Sequence, residues 1–377
     1  MSIFETTRVS VRVGEDEISF ETGKLAKQAS GSVVVESGDT MVLSTATMGR
    51  PRDVDFLPLT VDVEERTYAA GKIPGSFFRR EGRAGEKATL TARMIDRPIR
   101  PLFPAGWYYE TQLVTIPMSV DHVHPYDILA MNGASAALAI SEIPVAKHVG
   151  AVRVGKLGDD FVINPKEEDH PNLDLDLIVA GTDEALLMVE AGANGVTEAE
   201  ILDALDIAHG EIKKLVATIE ELRQKVGKEK LVVEAPSIDE GLLSDIRSSH
   251  AQALVDAIAT TGKMERYDAI HDVKAAVIEQ YAPETGDAEA DGARKGEVGT
   301  AFDAVEKDII RKAIAIDKKR PDGRAADEIR QIECEVDISP RVHGSALFTR
   351  GETQVLGNVT LGTTRMDMRI DLSLIHI

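Results

Sequence analysis

Val9, Val11 and Val13 alternate with Ser10 and Arg12, the two-residue period of a strand with one buried face. Ile18, Ser19 and Phe20 resume the pattern after Gly14-Glu15-Asp16-Glu17, so this segment predicts a hairpin. Residues 32–36 and 40–47 predict a second one around Ser37-Gly38-Asp39, where the glycine supplies a positive φ. A β-branched run at 57–63 and stretches at 111–120 and 173–179 predict further strands, while 130–141 reads as a small-residue helix suited to close packing on a sheet. The class is α+β. From Thr197 the period changes. Ile201, Leu205, Ala208, Ile212, Leu215, Ile219 and Leu222 recur at helical spacing up to Gly227, behind the capping box Thr197-Glu198-Ala199-Glu200. More helices are expected near 240–260, 264–281 and 300–316, with 282–299, rich in Glu, Asp, Gly and Ala, as a mobile surface loop. An all-helical domain thus follows the mixed one.

An internal repeat sharpens the picture. The run from Gly31 and Ser32 through Gly38, Thr40, Val42 and Leu43 returns as Gly344, Ser345, Gly351, Thr353, Val355 and Leu356, and Thr47 and Gly49 return as Thr360 and Gly362. Eight identities in nineteen positions at one fixed offset, without a gap, point to a duplicated α+β domain around a helical insert. Residues 363–371 are polar and strand-like, and Leu372 to Ile377 then stop without cap or turn, so the second copy is expected to be cut off soon after it begins. Roughly 50 residues are too few for a core.

The chain has 377 residues, 43 Lys and Arg against 64 Asp and Glu, and a formal net charge of −21. That length suits two or three domains, and 43% apolar with 28% charged residues describes a folded globular protein. Cys334 is the only cysteine, which rules out an intramolecular disulfide or cysteine-based zinc site and fits a reducing compartment. Met1-Ser2-Ile3-Phe4-Glu5 lacks the basic and apolar regions of a secretory signal, and no stretch reaches the ~20 apolar residues of a membrane span.

Acidic balance argues against nucleic acid until the charge is read locally. Between 79 and 100 lie seven basic residues (Arg79, Arg80, Arg83, Lys87, Arg93, Arg97, Arg100) against three acidic ones (Glu81, Glu86, Asp96). Gly75-Ser76-Phe77-Phe78-Arg79-Arg80-Glu81-Gly82-Arg83 suits a loop that offers ring faces for bases and cations for phosphates. By composition alone the same residues also suit a core plug of Phe77 and Phe78 with merely solvated arginines. Residues 86–103 read as a helix with Arg93 and Arg97 on the face opposite Leu90 and Ile95, ended or kinked by Pro98 before Arg100 can extend the stripe. These guanidiniums suit phosphate, or internal pairing with Glu86 and Asp96. Asp121-His122-Val123-His124 lacks an evident third metal ligand, and Asp174 with Asp176 reads more simply as a solvated strand face than as a magnesium site. No nucleophile elbow, phosphate-binding Gly-Lys-Ser/Thr loop or dinucleotide fingerprint is present.

Four stretches together resemble bacterial polynucleotide phosphorylase, of the actinobacterial type also called guanosine pentaphosphate synthetase. They are Ala69-Ala70-Gly71-Lys72-Ile73-Pro74-Gly75 running into the loop above, Asp96-Arg97-Pro98-Ile99-Arg100-Pro101-Leu102-Phe103, Arg320-Pro321-Asp322-Gly323-Arg324, and His343-Gly344-Ser345-Ala346-Leu347-Phe348-Thr349-Arg350-Gly351-Glu352-Thr353. The resemblance implies two RNase PH-like cores joined by an all-helical linker, here 1–230, 231–318 and a truncated 319–377. It implies phosphate-dependent 3′-to-5′ degradation of single-stranded RNA to nucleoside diphosphates, reversible, in a cytoplasmic homotrimeric ring that uses magnesium. Phe77, Phe78, Arg79, Arg80 and Arg83 match the motif of the channel constriction, and Arg93, Arg97 and Arg100 become candidate phosphate contacts. The family's phosphate loop and metal site belong to the second core, so no catalytic residue and no metal ligand is expected within 1–377, and the C-terminal RNA-binding modules are expected to be absent. The tail after Asp371 departs from the family pattern. Two classes remain: part of a phosphorolytic exoribonuclease, or a catalytically silent RNA-binding or ring-scaffold subunit.

Overall fold

The first alternating segment forms β1 (Thr7–Val13) and β2 (Asp16–Thr22), paired antiparallel across a two-residue turn in which Gly14 has a φ of +60°. A computed structural model of the chain describes residues 5–54, 56–74, 84–234 and 237–363. The second hairpin is β3 (Gly31–Ser37) with β4 (Thr40–Pro51), and Gly38 takes the positive φ its turn needs. β5 (Leu59–Val63), α1 (Glu86–Ile99) and β6 (Tyr109–Ser119) complete a six-stranded sheet in the order β1-β2-β3-β4-β6-β5, antiparallel except for β5 beside β6. Then comes α2 (Tyr126–Ile140), every residue of which is buried. Its alanines and Gly133 let it lie close to the sheet, where a Cβ on Gly133 would strike Ser44.

A second sheet is built from β7 (Gly150–Leu157), β8 (Asp160–Ile163), β9 (Leu175–Gly181) and β10 (Leu186–Ala193), in the order β10-β9-β7-β8. The helix α3 (Glu198–Val226) closes this unit. Thr197 and Glu200 form the reciprocal capping box; of the expected stripe Ala208, Ile212, Leu215, Ile219 and Leu222 are buried in the same core as both sheets, Ile201 and Leu205 are partly buried against it, and Ala204 joins the buried face.

The described residues from 237 onward form a separate unit. Helices α4 (Glu240–Ile258), α5 (Lys263–Tyr281) and α6 (Ala288–Ala315) pack around Leu242, Ile246, Leu254, Val277, Val298 and Phe302. Here the structure corrects the sequence reading, because most of 282–299 is the start of α6 and not a loop. Asp287 caps it by accepting the Glu289 and Ala290 N–H groups, and Asp291 accepts from the Thr285 and Gly286 N–H groups just before it.

β11 (Ile332–Val336), β12 (Gly344–Arg350) and β13 (Thr353–Val359) make a three-stranded antiparallel sheet. The repeat is structural as well as sequential. Gly31 pairs with Ala46 and Ser37 with Thr40 in the first copy; Gly344 pairs with Val359 and Arg350 with Thr353 in the second, the same register at the same offset. Gly38 and Gly351 turn at φ +55° and +60°. What differs is cover: Val35 and Val42 are 0% exposed beneath α2, whereas their counterparts Phe348 and Val355 are 41% and 59% exposed. Among the described residues no helix is long and apolar enough to cross a membrane.

Candidate nucleic-acid interface

Phe77, Phe78, Arg79, Arg80 and Arg83 lie outside the described residues. The described chain reaches Pro74 on one side and resumes at Ala84, directly before Gly85 caps α1. α1 stops at Ile99, one residue past Pro98, so Arg100 lies beyond the α-helix as expected, with its N–H on the Asp96 carbonyl. A proline in the last turn deletes only one helical bond. Ile95 is fully buried as expected, but Leu90 is 48% exposed, so the apolar face of α1 is narrower than its sequence implies.

The three described arginines have separate fates. Arg93 is exposed and makes no ion pair or hydrogen bond to any described residue. Arg97 reaches Glu190 on β10 at 2.6 Å, with both side chains about half exposed, so it forms a weak pair that solvent screens. Arg100 is engaged internally: Nε and Nη2 grip Asp96 at 2.6–3.1 Å, while Nη1 and Nη2 donate to the Leu57 and Leu59 carbonyls. It ties the end of α1 to the start of β5. Lys87 sits 5.1 Å from the centre of the Tyr126 ring and 3.6 Å from Glu167. Within the described part of the basic segment, Arg93 is the cation open to an anion.

The other candidate clusters turn out to be structural. Asp121 accepts from the Asp39, Val123 and His124 N–H groups, the Thr40 hydroxyl and the His124 ring at 2.6–3.1 Å. Burial alone would raise this carboxyl, but those hydrogen bonds outweigh it and hold it well below the usual carboxylate range. His124 Nε2 lies 3.5 Å from Asp16, and His122 bends the loop with a φ of +60°. The cluster fastens the β3–β4 turn to the loop before α2. Asp176 is engaged by Arg153 at 2.7 Å. Among the described residues no group of three or more His, Cys, Asp or Glu is arranged to hold a metal.

Sequence reading missed Arg153 on β7. Its side chain is 7% exposed and bridges Asp127 at the head of α2 to Asp176 on β9, with Nε buried and unpartnered. The available signal was a single charge inside the apolar run Val152-Arg153-Val154.

The description "3′ exoribonuclease family, domain 1" matches residues 16–144 and again 328–374, so one family domain recurs at both copies of the repeat. "3′ exoribonuclease family, domain 2" matches 147–211, and "Polyribonucleotide nucleotidyltransferase, RNA binding domain" matches 241–325. A polyribonucleotide nucleotidyltransferase of Bacillus cereus is 48% identical over 94% of this chain and 49% of its own length. The Halothermothrix orenii protein of that name is 47% identical over 94% and 51%, and the Koribacter versatilis one 46% over 93% and 43%. The chain belongs to the polyribonucleotide nucleotidyltransferase family. It spans about half the length of the curated relatives it matches. Among solved structures, rice Rrp46 aligns with a TM-score of 0.42 at 14% identity over 60% of this chain and 96% of its own. An archaeal exosome core aligns at 0.41 and 16% over 58% and 87%.

The first core is closed and internally paired around Arg153 and Asp121. The open cation Arg93 lies on α1, the helix that follows the Phe77–Arg83 segment in the sequence.

Proposed function

We propose that this chain is the first half of a phosphate-dependent 3′-to-5′ exoribonuclease, a reversible polyribonucleotide nucleotidyltransferase of RNA degradation. In that reaction inorganic phosphate attacks the terminal phosphodiester and the P–O3′ bond breaks. A nucleoside diphosphate leaves, and the shortened RNA keeps a 3′-hydroxyl that takes up the proton. The observation that carries this reading is the recurrence of one 3′ exoribonuclease domain on both sides of a helical domain named for RNA binding.

In this reading 1–230 is the first core, 231–318 the helical linker and 319–377 the beginning of the second core. The work of the chain is to hold single-stranded RNA: Phe77 and Phe78 stack bases, Arg79, Arg80 and Arg83 follow phosphates at the constriction of a homotrimeric channel, and Arg93 is a further phosphate contact. Arg97 could join only by giving up Glu190. Two anions must meet in phosphorolysis, so cations that offset their repulsion are needed at the reacting end. The resemblance implies magnesium, whose site this reading assigns to the remainder of the second core. A single exposed cysteine suits a cytoplasmic setting.

Changing Arg79→Ala together with Arg80→Ala is expected to weaken oligoadenylate binding. It should also flatten the dependence of log affinity on log salt by about 1.4, at ~0.7 per single-strand phosphate contact. Fluorescence anisotropy across a salt series reads both quantities. An unchanged slope and affinity would remove these residues from the RNA path.

A further inference from the structure

The first unit carries a cleft of about 570 Å³ beside α3, within the size range of small-ligand sites. One wall is a single face of α3, with Lys213, Ala217, Glu220 and Arg223 at helical spacing. The rest comes from the loop before β7, including Lys147 and His148, and from Asp183 and Lys230. Four Lys and Arg line it against two acids, a local surplus of +2 in a chain of −21.

Cations on such a wall are commonly no more than partners of nearby acids, and two of the four are. Lys147 is held by Glu184 at 2.6 Å and Asp183 at 3.6 Å. Arg223 grips Glu220 through Nε and Nη2 at 2.8 and 2.9 Å, and its Nη1 makes no bond to a described residue. His148 Nε2 lies 2.8 Å from the same carboxylate, while its Nδ1 is buried without a partner, so the proton sits on Nε2 and the ring is neutral.

The surplus resides on Lys213 and Lys230. Lys213 is exposed and makes no ion pair or hydrogen bond with any described residue. Lys230 donates to the Leu138, Ser141 and Ile143 carbonyls at 2.7–2.9 Å, three hydrogen bonds without a carboxylate in contact. The end of α2 that it caps supplies only about half a negative charge. Burial, and next the charge of Arg223, pull this ammonium down to about 8. A cleft that gathers cations it does not neutralise favours an anion. Val145, Val216 and Ala217 add apolar surface to the same cleft.

We infer that this cleft binds a small phosphate monoester with a flat organic body, of the nucleoside monophosphate kind, with Lys213 and the Arg223 Nη1 group on the phosphate and Lys230 as a fixed charge that it offsets. A monoester carries about −2 near neutral pH, which matches the surplus, and its organic part matches the apolar lining. The inference does not rest on the RNA-degrading reading.

Isothermal titration of the full chain with adenosine 5′-monophosphate, adenosine and inorganic phosphate tests it. The monophosphate is expected to bind at one site per chain, more tightly than either of its parts. Lys213→Gln should weaken it about tenfold, the loss of one charge-assisted hydrogen bond, and Lys213→Arg should retain it. Because Lys213 is exposed, both variants should keep the parent's thermal midpoint. Inorganic phosphate binding as tightly as the monophosphate would overturn the monoester as ligand. No binding of the monophosphate, or an unchanged affinity in Lys213→Gln, would overturn the site. A loss in Arg79→Ala with Arg80→Ala but not in Lys213→Gln would move the monophosphate to the 77–83 loop and overturn the cleft as well.

Discussion

Replacing Arg153 by leucine is expected to destabilise the first unit by about 4 kcal/mol at neutral pH. The guanidinium is buried between Asp127, whose side chain is 4% exposed, and Asp176, which is 37% exposed. Without it Asp176 can turn to water, but Asp127 cannot. Burial raises the Asp127 carboxyl, and the charge of Arg153, with a smaller contribution from Lys87, reverses this and holds it low. In the variant that carboxyl must be buried protonated. Neutralising a group of ordinary pKa ~3.9 at pH 7 costs about 4 kcal/mol. The sign follows from the two directions. A depressed folded pKa stabilises the parent above the unfolded value and is lost as pH falls below it. A raised folded pKa penalises the variant at neutral pH and ceases to matter near pH 4. The deficit measured by denaturant unfolding should therefore shrink to under about 1 kcal/mol at pH 4. A deficit independent of pH would mean that Arg153 acts by packing alone. Removing both charges, Arg153→Leu with Asp127→Leu, should recover much of the loss, because neither partner is then left buried alone.

Gly31→Ala should be nearly as damaging, and Gly344→Ala nearly silent, although the two glycines are equivalent in the repeat. A Cβ on Gly31 would overlap the Ala137 carbonyl oxygen and reach the carbonyl carbon at 3.0 Å, so β3 and α2 would have to part. Backbone cannot yield as a side chain can, and about 3 kcal/mol is expected, at the upper end for overpacking. In a unit of this size that lowers the thermal midpoint by roughly 6–12 °C. A Cβ on Gly344 would meet only Val359 Cβ at 3.8 Å, an ordinary contact, and the change should stay within about 0.5 kcal/mol. Equal losses at the two positions would show that Gly344 also lies under a covering element.

The contrast between these glycines shows what could be read in advance. Turn chemistry and period are local, so the hairpins around Gly14 and Gly38 and the stripe of α3 were legible from residues alone. The repeat was legible because eight side chains persisted at one offset. β7 was not, since it is buried on nearly every residue and shows no alternation. The start of α6 looked like a loop because Gly292, Gly296 and Gly299 weaken helix propensity. The Asp287 cap and the burial of Val298 and Ala301 override that weakness. At the candidate interface, charge density was visible, whereas which cations remain open was not. Arg93, Arg97 and Arg100 look alike in sequence, and only the fold brings Glu190 to Arg97 and the Leu57 and Leu59 carbonyls to Arg100.

The most direct test of the central claim, that this chain holds RNA for a phosphorolytic enzyme whose reacting groups lie in the second core, is a phosphorolysis assay on purified 1–377 with 3′-tailed RNA, magnesium and inorganic phosphate. Salt-dependent RNA binding with no release of nucleoside diphosphates is the predicted result. Phosphate-dependent release of diphosphates would place the chemistry in the first core and contradict the account.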